Sequence, residues 1–568
     1  MHCSESALLH DLLSSELGTL PQATLPDRRV DGVVKDPTTF AKEYLMYNLV
    51  RKREPFVNKA DVPTSVLRDS LTAFAEAEHQ CLVINTYGSM WSPIVKDDTV
   101  FFAKVLHLAR QWIADTLVDV WPKWDDARYT SGASRNCSRS RSLAPLKWVG
   151  VGDRNSKQLS ATPLALRIAE TYIAPTYAQN WARKGYEIVS DSKFDFVQKT
   201  AKAVRFMAME PEINMLTQKC VGDAIRFALL QRGINLNSQL LNQQLAMLGS
   251  IFGTRATLDQ TSASDCIAVL MANMLPKRYK EWVLDTRTPY TTVDNHTHKL
   301  QKIATMGNGF IFELQSLIFA AFTFACTALT GGRECDIAIY GDDIVCSSCT
   351  APSLMRSLEF YGLIPNMTKS FWDVTEPFRE SCGKHYFAGR DVTPFFIKKS
   401  LDTLQAKFRA YNGLRYWSER TGIKIPDTLR YLVSLIDKKD RVLVPPSYSI
   451  DSGLHFPVSD CIFPIVRLSH GQSRARFKYW RAYTYDVTRL LNDNVRYQDW
   501  LLDPPPAIIS LKLWDVALRK ICLRPRSRVG VRQVLPGIPR EVRRYCVGLP
   551  DDRVYRWSDS SIARSEIP

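Results

Sequence analysis

One short stretch constrains this chain more than any other. The run from Ile337 to Cys346 has two apolar, β-prone segments on either side of Tyr340-Gly341-Asp342-Asp343. It predicts a β-hairpin, because Gly341 has the backbone freedom that a tight turn requires. Adjacent carboxylates repel each other unless a cation lies between them, so we predict that Asp342 and Asp343 bind a divalent metal. Side chains alternate along a strand, and the two are not expected to contribute equally.

The alternative for this stretch is an acidic turn on the surface, which the apolar segments on both sides oppose.

The charge of the whole chain favours a polyanionic partner. Lysine and arginine number 74 against 58 aspartates and glutamates, a net charge of +16 over 568 residues. Such an excess favours nucleic acid ahead of a membrane surface. The chain is long enough for two or three domains or subdomains.

Cysteine usage and hydropathy bear on the compartment. The 13 cysteines are scattered over the chain, which predicts a reducing environment. No basic region followed by an apolar core occurs at the N-terminus, so no signal peptide is expected. Residues 310–329 are the most apolar run, but Glu313 and Gln315 interrupt it. We therefore predict a buried helix and no membrane span.

The first half of the chain predicts helices and one basic region. Residues 1–35 are weakly patterned and are expected to be irregular. Asp36-Pro37 predicts a helix start, and residues 61–91 and 100–121 are expected to be helical. Residues 129–157 are rich in lysine and arginine. This region is either a solvated loop or part of a template or nucleotide channel.

A second basic pattern precedes residue 210. Lys199, Lys202 and Arg205 recur at every third position. In an extended or irregular segment they would converge on a triphosphate, with arginine making bidentate contacts and lysine supplying a point charge. A solvated basic face is the alternative.

A further carboxylate, Asp259, follows the short predicted strand 255–258. In phosphoryl transfer two metals about 4 Å apart bind the attacking and leaving oxygens, and Asp259 with Asp342 would bridge them. Ser262 and Asp265 have nearly the spacing of a capping box, ahead of a helix with apolar positions from Ile267 to Met274. Asp265 therefore has a structural interpretation as well as a functional one.

Asn308 lies between two glycines, just before the apolar run 310–329. Its amide can bind a ribose hydroxyl or cap the following helix, and the two roles are compatible. After the hairpin, residues 352–362 predict a short helix, which a strand and then Lys369 follow. Lys369 resembles the lysine that viral RNA-dependent RNA polymerases carry at this place, which can protonate the departing pyrophosphate, and a surface lysine is the alternative.

The run PFRESCGKHYFAG at residues 377–389, with DVTPF after it, resembles the replicases of single-stranded RNA bacteriophages, the leviviruses. Residues 233–237, 242–243, 306–309 and 312–314 resemble the same family. The Gly-Asp-Asp hairpin resembles the metal-binding hairpin of viral RNA-dependent RNA polymerases in general, and the basic spacing at 199–205 resembles their segment for the entering nucleotide. The resemblance is dense from about residue 128 to 400. Departures at Gln198, Ala201 and Gln260 remove no residue with an assigned role.

The resemblance implies an α+β, right-hand polymerase fold with fingers, palm and thumb, in which the palm is a ferredoxin-like antiparallel sheet with helices. It also implies primer-independent initiation. The expected divisions are an N-terminal segment at 1–60, fingers at 61–210, a palm at 211–395, and a thumb with an RNA-contacting region at 396–568. The triphosphate segment would enter the palm at 199–205, with a catalytic core at 255–371.

The function implied is RNA-templated RNA synthesis from nucleoside triphosphates in the cytoplasm of an infected bacterium, with two Mg²⁺ or Mn²⁺ ions. The resemblance also implies association with host elongation factors Tu and Ts and with a small-subunit ribosomal protein. The predicted catalytic residues are Asp259, Asp342, Asp343 and Lys369, of which the three aspartates would bind metal. The predicted nucleotide-binding residues are Lys199, Lys202, Arg205, Ser264, Asp265 and Asn308.

Two other functions are weighed against this one. Reverse transcriptases carry a bulky aromatic residue five positions after the first catalytic aspartate, where this chain has Ser264. The small side chain leaves room for a ribose 2′-hydroxyl. A non-catalytic RNA-binding protein would explain the charge, including the basic segments 474–483 and 519–544 near the C-terminus, but would leave the carboxylates without a role.

Overall fold

The structure is a computed structural model. It describes residues 2–21, 24–49, 51, 61–88, 96–129, 132–137, 147, 158–173, 182, 185–200, 203–293, 296–398, 400–444, 446, 448–456, 465–467, 473–478 and 555–557. The described residues belong to two compact units. Residues 61–391 form one of them, and residues 2–51 with those from 392 onward form the other.

The chain combines α-helices with mostly antiparallel sheets, which agrees with the predicted α+β class. The α-helices are α1 (His2–Leu17), α2 (Pro37–Asn48), α3 (Thr64–Tyr87), α4 (Lys96–Leu117), α5 (Pro163–Tyr172), α6 (Glu212–Gln231), α7 (Leu240–Phe252), α8 (Lys277–Thr286), α9 (Ile311–Thr330), α10 (Ala351–Phe360), α11 (Leu404–Thr421) and α12 (Pro426–Ser434). Short 3₁₀ helices lie at Trp124–Asp126, Ala263–Cys266, Val269–Met274, Glu334–Asp336 and Lys438–Asp440.

The strands are short and mostly antiparallel. They are β1 (Arg29–Val30), β2 (Val33–Val34), β3 (Leu159–Ala161), β4 (Tyr186–Ile188), β5 (Asp191–Thr200), β6 (Ala203–Met209), β7 (Arg255–Leu258), β8 (Gln260–Thr261), β9 (Tyr290–Val293), β10 (His296–Lys299), β11 (Ala338–Tyr340), β12 (Asp343–Ser347), β13 (Ile364–Pro365), β14 (Phe378–Ser381), β15 (Lys384–Phe387), β16 (Arg390–Asp391), β17 (Leu443–Val444), β18 (Leu454–His455), β19 (Ile465–Arg467), β20 (Ser473–Lys478) and β21 (Tyr555–Trp557).

The predicted hairpin is present and forms part of a three-stranded antiparallel sheet in the order β11-β12-β7. Tyr340 pairs with Asp343, so the loop consists of Gly341 and Asp342 alone, and Gly341 has a φ of +65°. A side chain at that φ would be strained. Ile344 pairs with Leu258. Asp259 therefore follows its strand at the end of the sheet where the hairpin loop lies.

Helix α9 packs in the hydrophobic core of its unit, as predicted for residues 310–329. Its buried side chains include Leu314, Phe319 and Phe322. Within the described residues, α9 is the one helix that is long and apolar enough to cross a membrane. Of its most apolar 18-residue stretch, 83% is buried inside the protein. The core of the unit explains this burial.

A four-stranded sheet in the order β10-β9-β5-β6 carries the second predicted basic pattern. Strands β5 and β6 are antiparallel neighbours, with Val197 opposite Arg205 and Thr200 opposite Ala203. Lys199 and Arg205 therefore lie on adjoining strands near the connection between them. The predicted extended conformation is confirmed for these two residues, and Lys202 lies outside the described residues.

Two predictions for the first fifty residues have different outcomes. The helix start at Asp36 is confirmed, because its carboxylate accepts a hydrogen bond from the Thr39 backbone N–H at 2.9 Å. The irregular N-terminus is wrong, because α1 occupies His2–Leu17. Leu9, Leu13 and Leu17 recur every fourth residue and are buried, so tertiary packing stabilises a helix with little other sequence signal.

Candidate active site

A cleft of about 780 Å³ lies at the loop end of the β11-β12-β7 sheet. Of the predicted site residues that the structure describes, it brings together all except Asp343. The predicted residues that line it are Lys199, Arg205, Asp259, Ser264, Asp265, Asn308, Asp342 and Lys369. Residues from five separate stretches of the chain, all within one compact unit, thus meet in a single cavity. We refer to it below as the main cleft.

Asp259 and Asp342 form the acidic centre of the main cleft. The first follows β7 and the second occupies the hairpin loop. Burial, together with repulsion from the Asp259 carboxylate, raises the pKa of Asp342 above its ordinary value. Arg205 and Lys369 oppose this effect without cancelling it. Such a pair is stabilised by a cation placed between the two carboxylates.

Asp343 does not line the main cleft. Its Oδ1 accepts a hydrogen bond from the Cys382 backbone N–H at 3.0 Å, on the side of the β14–β15 hairpin. Among the described residues, no group of three or more histidine, cysteine, aspartate or glutamate side chains could hold a metal ion. The unequal roles expected for the two hairpin aspartates agree with this placement. A metal ligand at Asp343 stays a prediction.

Burial raises the pKa of Asp343 to about 7. The folded protein therefore keeps this proton up to about pH 7, whereas the unfolded chain loses it near the model-peptide value of about 4. Because the folded state binds more protons between these values, the free energy of unfolding falls as pH rises through that window. One pKa unit corresponds to about 1.4 kcal/mol.

We expect Asp343→Asn to stabilise the protein at pH 8, by at most about 4 kcal/mol, and clearly less at pH 5. Asparagine keeps an oxygen that can accept from Cys382 and carries no charge. Thermal unfolding at both pH values, with divalent cations chelated, measures the difference. The exposed Asp437 provides a control as Asp437→Asn. An equal shift in melting temperature at both pH values would contradict the assignment.

Lys369 is bound to the acidic centre. Its Nζ lies 3.1 Å from Asp259 Oδ2, and Asn366 Nδ2 donates to the same oxygen at 3.0 Å. Burial disfavours the ammonium charge, but Asp259 with the other nearby carboxylates holds the pKa of Lys369 above its ordinary value. Lys369 therefore lies at the surface, with a side chain that is 49% exposed, and is also paired with Asp259. Its role as a proton donor stays a prediction.

Lys199 and Arg205 supply the opposite charge at the main cleft. Burial lowers the pKa of Lys199, and repulsion from Arg205 and Lys369 lowers it further. Arg205 Nη1 donates to Met306 Sδ at 3.4 Å. A cleft lined by both cations and carboxylates can bind a polyanion and a divalent cation together.

Asn308 and Ser264 are both buried side chains of the main cleft. Asn308 Oδ1 accepts from the Phe310 backbone N–H at 3.0 Å, just before α9, which is close to the predicted capping role. Its Nδ2 donates to Glu210 Oε1 at 3.3 Å. Sequence reasoning missed Glu210, although a glutamate beside two apolar residues and a proline was the available signal.

The predicted capping box and the helix after it are wrong. Ser262 has a φ of +51° and makes no capping bond, and the segment that follows forms two 3₁₀ helices instead of an α-helix. The Asp265 carboxylate pairs with Lys302 at 2.9 Å. A buried ammonium is a stronger partner for a carboxylate than a backbone N–H, which explains the difference.

The other basic segments have a mixed outcome. Arg135 pairs with Glu187 at 3.3 Å and with Asp191 at 3.0 Å, so it joins two chain segments of its unit. Lys147 is buried and donates to the Gly132 carbonyl at 2.8 Å. The remaining arginines of the 129–157 region and most of the C-terminal basic segments lie outside the described residues.

The chain is similar to several known proteins. Residues 3–524 match the family described as RNA replicase, beta-chain. The RNA-directed RNA polymerase beta chain of Enterobacteria phage GA is 31% identical over 441 residues, which are 75% of this chain and 78% of that protein. The RNA-directed RNA polymerase subunit beta of Escherichia virus Qbeta is 31% identical over 432 residues, 74% of this chain and 70% of that protein.

The RNA-directed RNA polymerase beta chain of Escherichia phage MS2 is 40% identical over 290 residues, which are 49% of this chain and 52% of that protein. The alignment with that relative thus spans about half of its length. The family match, in contrast, covers most of the present chain. This protein therefore belongs to the RNA replicase beta-chain family, which includes the RNA-directed RNA polymerases of RNA bacteriophages.

Proposed function

We propose that this protein synthesises RNA on an RNA template. The 3′-hydroxyl of the growing strand attacks the α-phosphorus of a nucleoside triphosphate, a new phosphodiester bond forms, and pyrophosphate leaves. The observation that carries the proposal is the meeting of Asp259 and Asp342 with Lys199, Arg205 and a wall of small polar side chains in one cleft.

The residues of the main cleft fit a divalent cation. Asp259 and Asp342 offer hard oxygen ligands, and their mutual repulsion is what a cation relieves. Magnesium commonly takes one or two carboxylates and completes its shell with water and phosphate oxygens. When bound, two Mg²⁺ or Mn²⁺ ions would supply charge neutralisation at the attacking and leaving oxygens. Asp259 and Asp342 would hold them.

The remaining charged residues act on the triphosphate. Arg205 offers a planar fork and Lys199 a compact charge, which together suit neighbouring phosphate oxygens. Lys369 is protonated beside Asp259, so it can give a proton to the departing pyrophosphate. Asp259 thus orients the lysine as well as offering a metal ligand.

The sugar side of the main cleft favours ribonucleotides. Ser264 is small and Asn308 presents an amide, so a 2′-hydroxyl has both space and a hydrogen-bond partner. A reverse transcriptase would need a bulky group at this place. A non-catalytic RNA-binding protein would have no use for a tight hairpin loop that places a second carboxylate in the cleft that already holds Asp259.

Further parts of the proposal follow from membership of the family. They are a right-hand arrangement with a ferredoxin-like palm, initiation without a primer, association with host elongation factors Tu and Ts and a small-subunit ribosomal protein, and action in the cytoplasm of the infected bacterium. The fingers, palm and thumb boundaries given above stay predictions.

The test uses the purified full chain with a single-stranded RNA template. Ribonucleotides or deoxyribonucleotides are supplied in parallel, with and without an extract of the host, and with Mg²⁺, Mn²⁺ or chelator. We expect template-dependent RNA that needs ribonucleotides and a divalent cation. Product made equally well from deoxyribonucleotides, or RNA binding without synthesis under every condition, would contradict the proposal.

The triphosphate contact gives a separate prediction. Arg205→Lys keeps the charge but loses the fork, and one charge-assisted hydrogen bond contributes about 1.5–3 kcal/mol. We expect kcat/KM for the nucleotide to fall about tenfold to hundredfold. RNA affinity and its salt dependence should not change, since no contact to RNA phosphates is lost. Single-nucleotide extension and filter binding on one template measure the two quantities.

A contrasting variant lies outside the described residues. Changing Arg524, Arg526 and Arg528 together to glutamine should weaken RNA binding and flatten its salt dependence while sparing the nucleotide KM. If Arg205→Lys instead weakened RNA binding and spared the nucleotide KM, the segment from Lys199 to Arg205 would belong to the template channel.

A further inference from the structure

Lys302 is a charged side chain with no access to solvent. It has 0% exposure and does not line the main cleft. Its Nζ lies 2.9 Å from Asp265 Oδ1 and 3.2 Å from Glu78 Oε1. An ammonium in such a place costs several kcal/mol of desolvation free energy unless partners of opposite charge surround it. Here two carboxylates supply the opposite charge, and an aromatic ring also contacts the ammonium.

The aromatic ring belongs to Phe74, and Lys302 Nζ lies 3.6 Å from its centroid. Phe74 also lines the main cleft, whereas Lys302 does not. Glu78 is one turn further along α3, and its second oxygen accepts from the Gln301 backbone N–H at 2.7 Å. Helix α3 therefore surrounds Lys302 with two side chains from the same face.

Hydrogen bonds also fix the backbone at Lys302. Lys302 pairs with Ala268 in an antiparallel bridge. Val269 N donates to Gln301 O at 3.0 Å, and Ile303 N donates to Ile267 O at 2.8 Å. These bonds tie the lysine to the segment that follows Asp265. The Lys302 ammonium therefore contacts the Asp265 carboxylate from the protein interior and has little freedom to move.

Asp265 is different, because it does line the main cleft beside Ser264. The bond to Lys302 engages Oδ1, which leaves Oδ2 for a ligand. An aspartate with no partner in a cleft that also holds Asp259 and Asp342 would be repelled by both carboxylates. Pairing with a fixed cation offsets this repulsion and holds the side chain in one rotamer.

We propose that Lys302 is a positioning residue for sugar selection: it holds Asp265 so that the carboxylate accepts a hydrogen bond from the ribose of the incoming nucleotide. The inference rests on the proposed function and adds to it a residue outside the main cleft. Glu78 and Phe74 complete the cluster by compensating and shielding the buried charge.

The test compares sugar discrimination, defined as kcat/KM for a ribonucleoside triphosphate divided by that for its 2′-deoxy analogue, in single-nucleotide extension. Lys302→Met should lower this ratio at least about tenfold, the size expected for loss of one hydrogen bond to a charged group. The loss should appear in the ribonucleotide KM. Lys299→Met, on an exposed lysine three residues earlier, should keep the ratio of the unmodified protein.

Lys302→Met leaves two carboxylates without their cation, so the variant can fail to fold. The double variant Glu78→Gln with Lys302→Met removes one charge of each sign and keeps the net charge. We expect it to fold and to show the same fall in the ratio, whereas Glu78→Gln alone should keep the ratio within about threefold, since Lys302 still holds Asp265. Melting temperatures accompany each measurement.

A ratio equal to that of the unmodified protein in the double variant overturns the inference. An equal loss with both sugars also overturns it, because that result indicates a purely structural role. Failure of the proposed function gives a different result, since the unmodified chain would then incorporate neither nucleotide. In the background of Asp265→Ala, adding Lys302→Met should cause no further fall in the ratio.

Discussion

Replacing Asp342 or Asp259 with asparagine is expected to reduce RNA synthesis at least about a hundredfold, because stabilisation of charge by a bound metal contributes several kcal/mol to the transition state. Asparagine has nearly the shape of aspartate but is a neutral and weaker ligand. RNA binding should stay nearly intact, since neither carboxylate contacts the template phosphates favourably. Extension assays and filter binding on the same preparation measure the two effects.

The exposed Asp437 offers a matched control, because Asp437→Asn makes the same chemical change in the other unit of the chain. Asp343→Asn is an informative third case. If Asp343→Asn reduces RNA synthesis as much as Asp342→Asn does, Asp343 is also a metal ligand. If the reduction is clearly smaller, Asp343 only supports the β14–β15 hairpin. If either cleft variant kept more than a few per cent of its activity, the metal assignment of that residue would be wrong.

The second large effect concerns Ser264. We expect Ser264→Phe to lower kcat/KM for ribonucleotides about tenfold to hundredfold more than for deoxyribonucleotides. Ser264 is 8% exposed and lines the main cleft, so an aromatic ring there would occupy the space that a 2′-hydroxyl needs. Parallel extension with matched ribo- and deoxyribonucleotides measures the ratio.

Ser264→Ala is the control for this variant, because it removes the hydroxyl without adding bulk. It should change the ratio by less than about threefold if space is the deciding factor. Equal losses with both sugars in Ser264→Phe would mean that Ser264 only shapes the 3₁₀ helix at Ala263–Cys266. Sugar selection would then depend on Asp265 and Asn308.

The parts of the fold that the sequence predicted are those with strong local signals. The hairpin needs only two apolar runs and a glycine that tolerates a positive φ. The apolar run that forms α9 and the helix start at Asp36 are equally local. Helix α1 was missed because its signal is three leucines spaced by four residues, and their partners are far away in the sequence.

Among the site residues too, those with a local sequence signal were predicted and those that depend on distant contacts were not. Asp259, Asp342, Lys199 and Arg205 were predicted from residue type and spacing, and the main cleft contains them all. The ion pair between Asp265 and Lys302 was not predicted, because the two residues are far apart in the sequence and no helix or strand pattern links them. A capping box was the only local explanation for Asp265, and a distant buried cation replaced it. Partners of this kind are visible only once the chain is folded.

The central position of β12 has a consequence for how the protein is made. This strand pairs on one side with its hairpin neighbour β11 and on the other with β7, which is far earlier in the sequence. The first pairing is local and fast, whereas the second must close a long loop that contains α8 and α9. During synthesis on the ribosome, Asp259 therefore emerges long before the strand that brings Asp342 beside it. A nascent chain that ends before the β11–β12 hairpin contains Asp259 without Asp342, so under the proposed function we expect fragments from premature termination to be inactive.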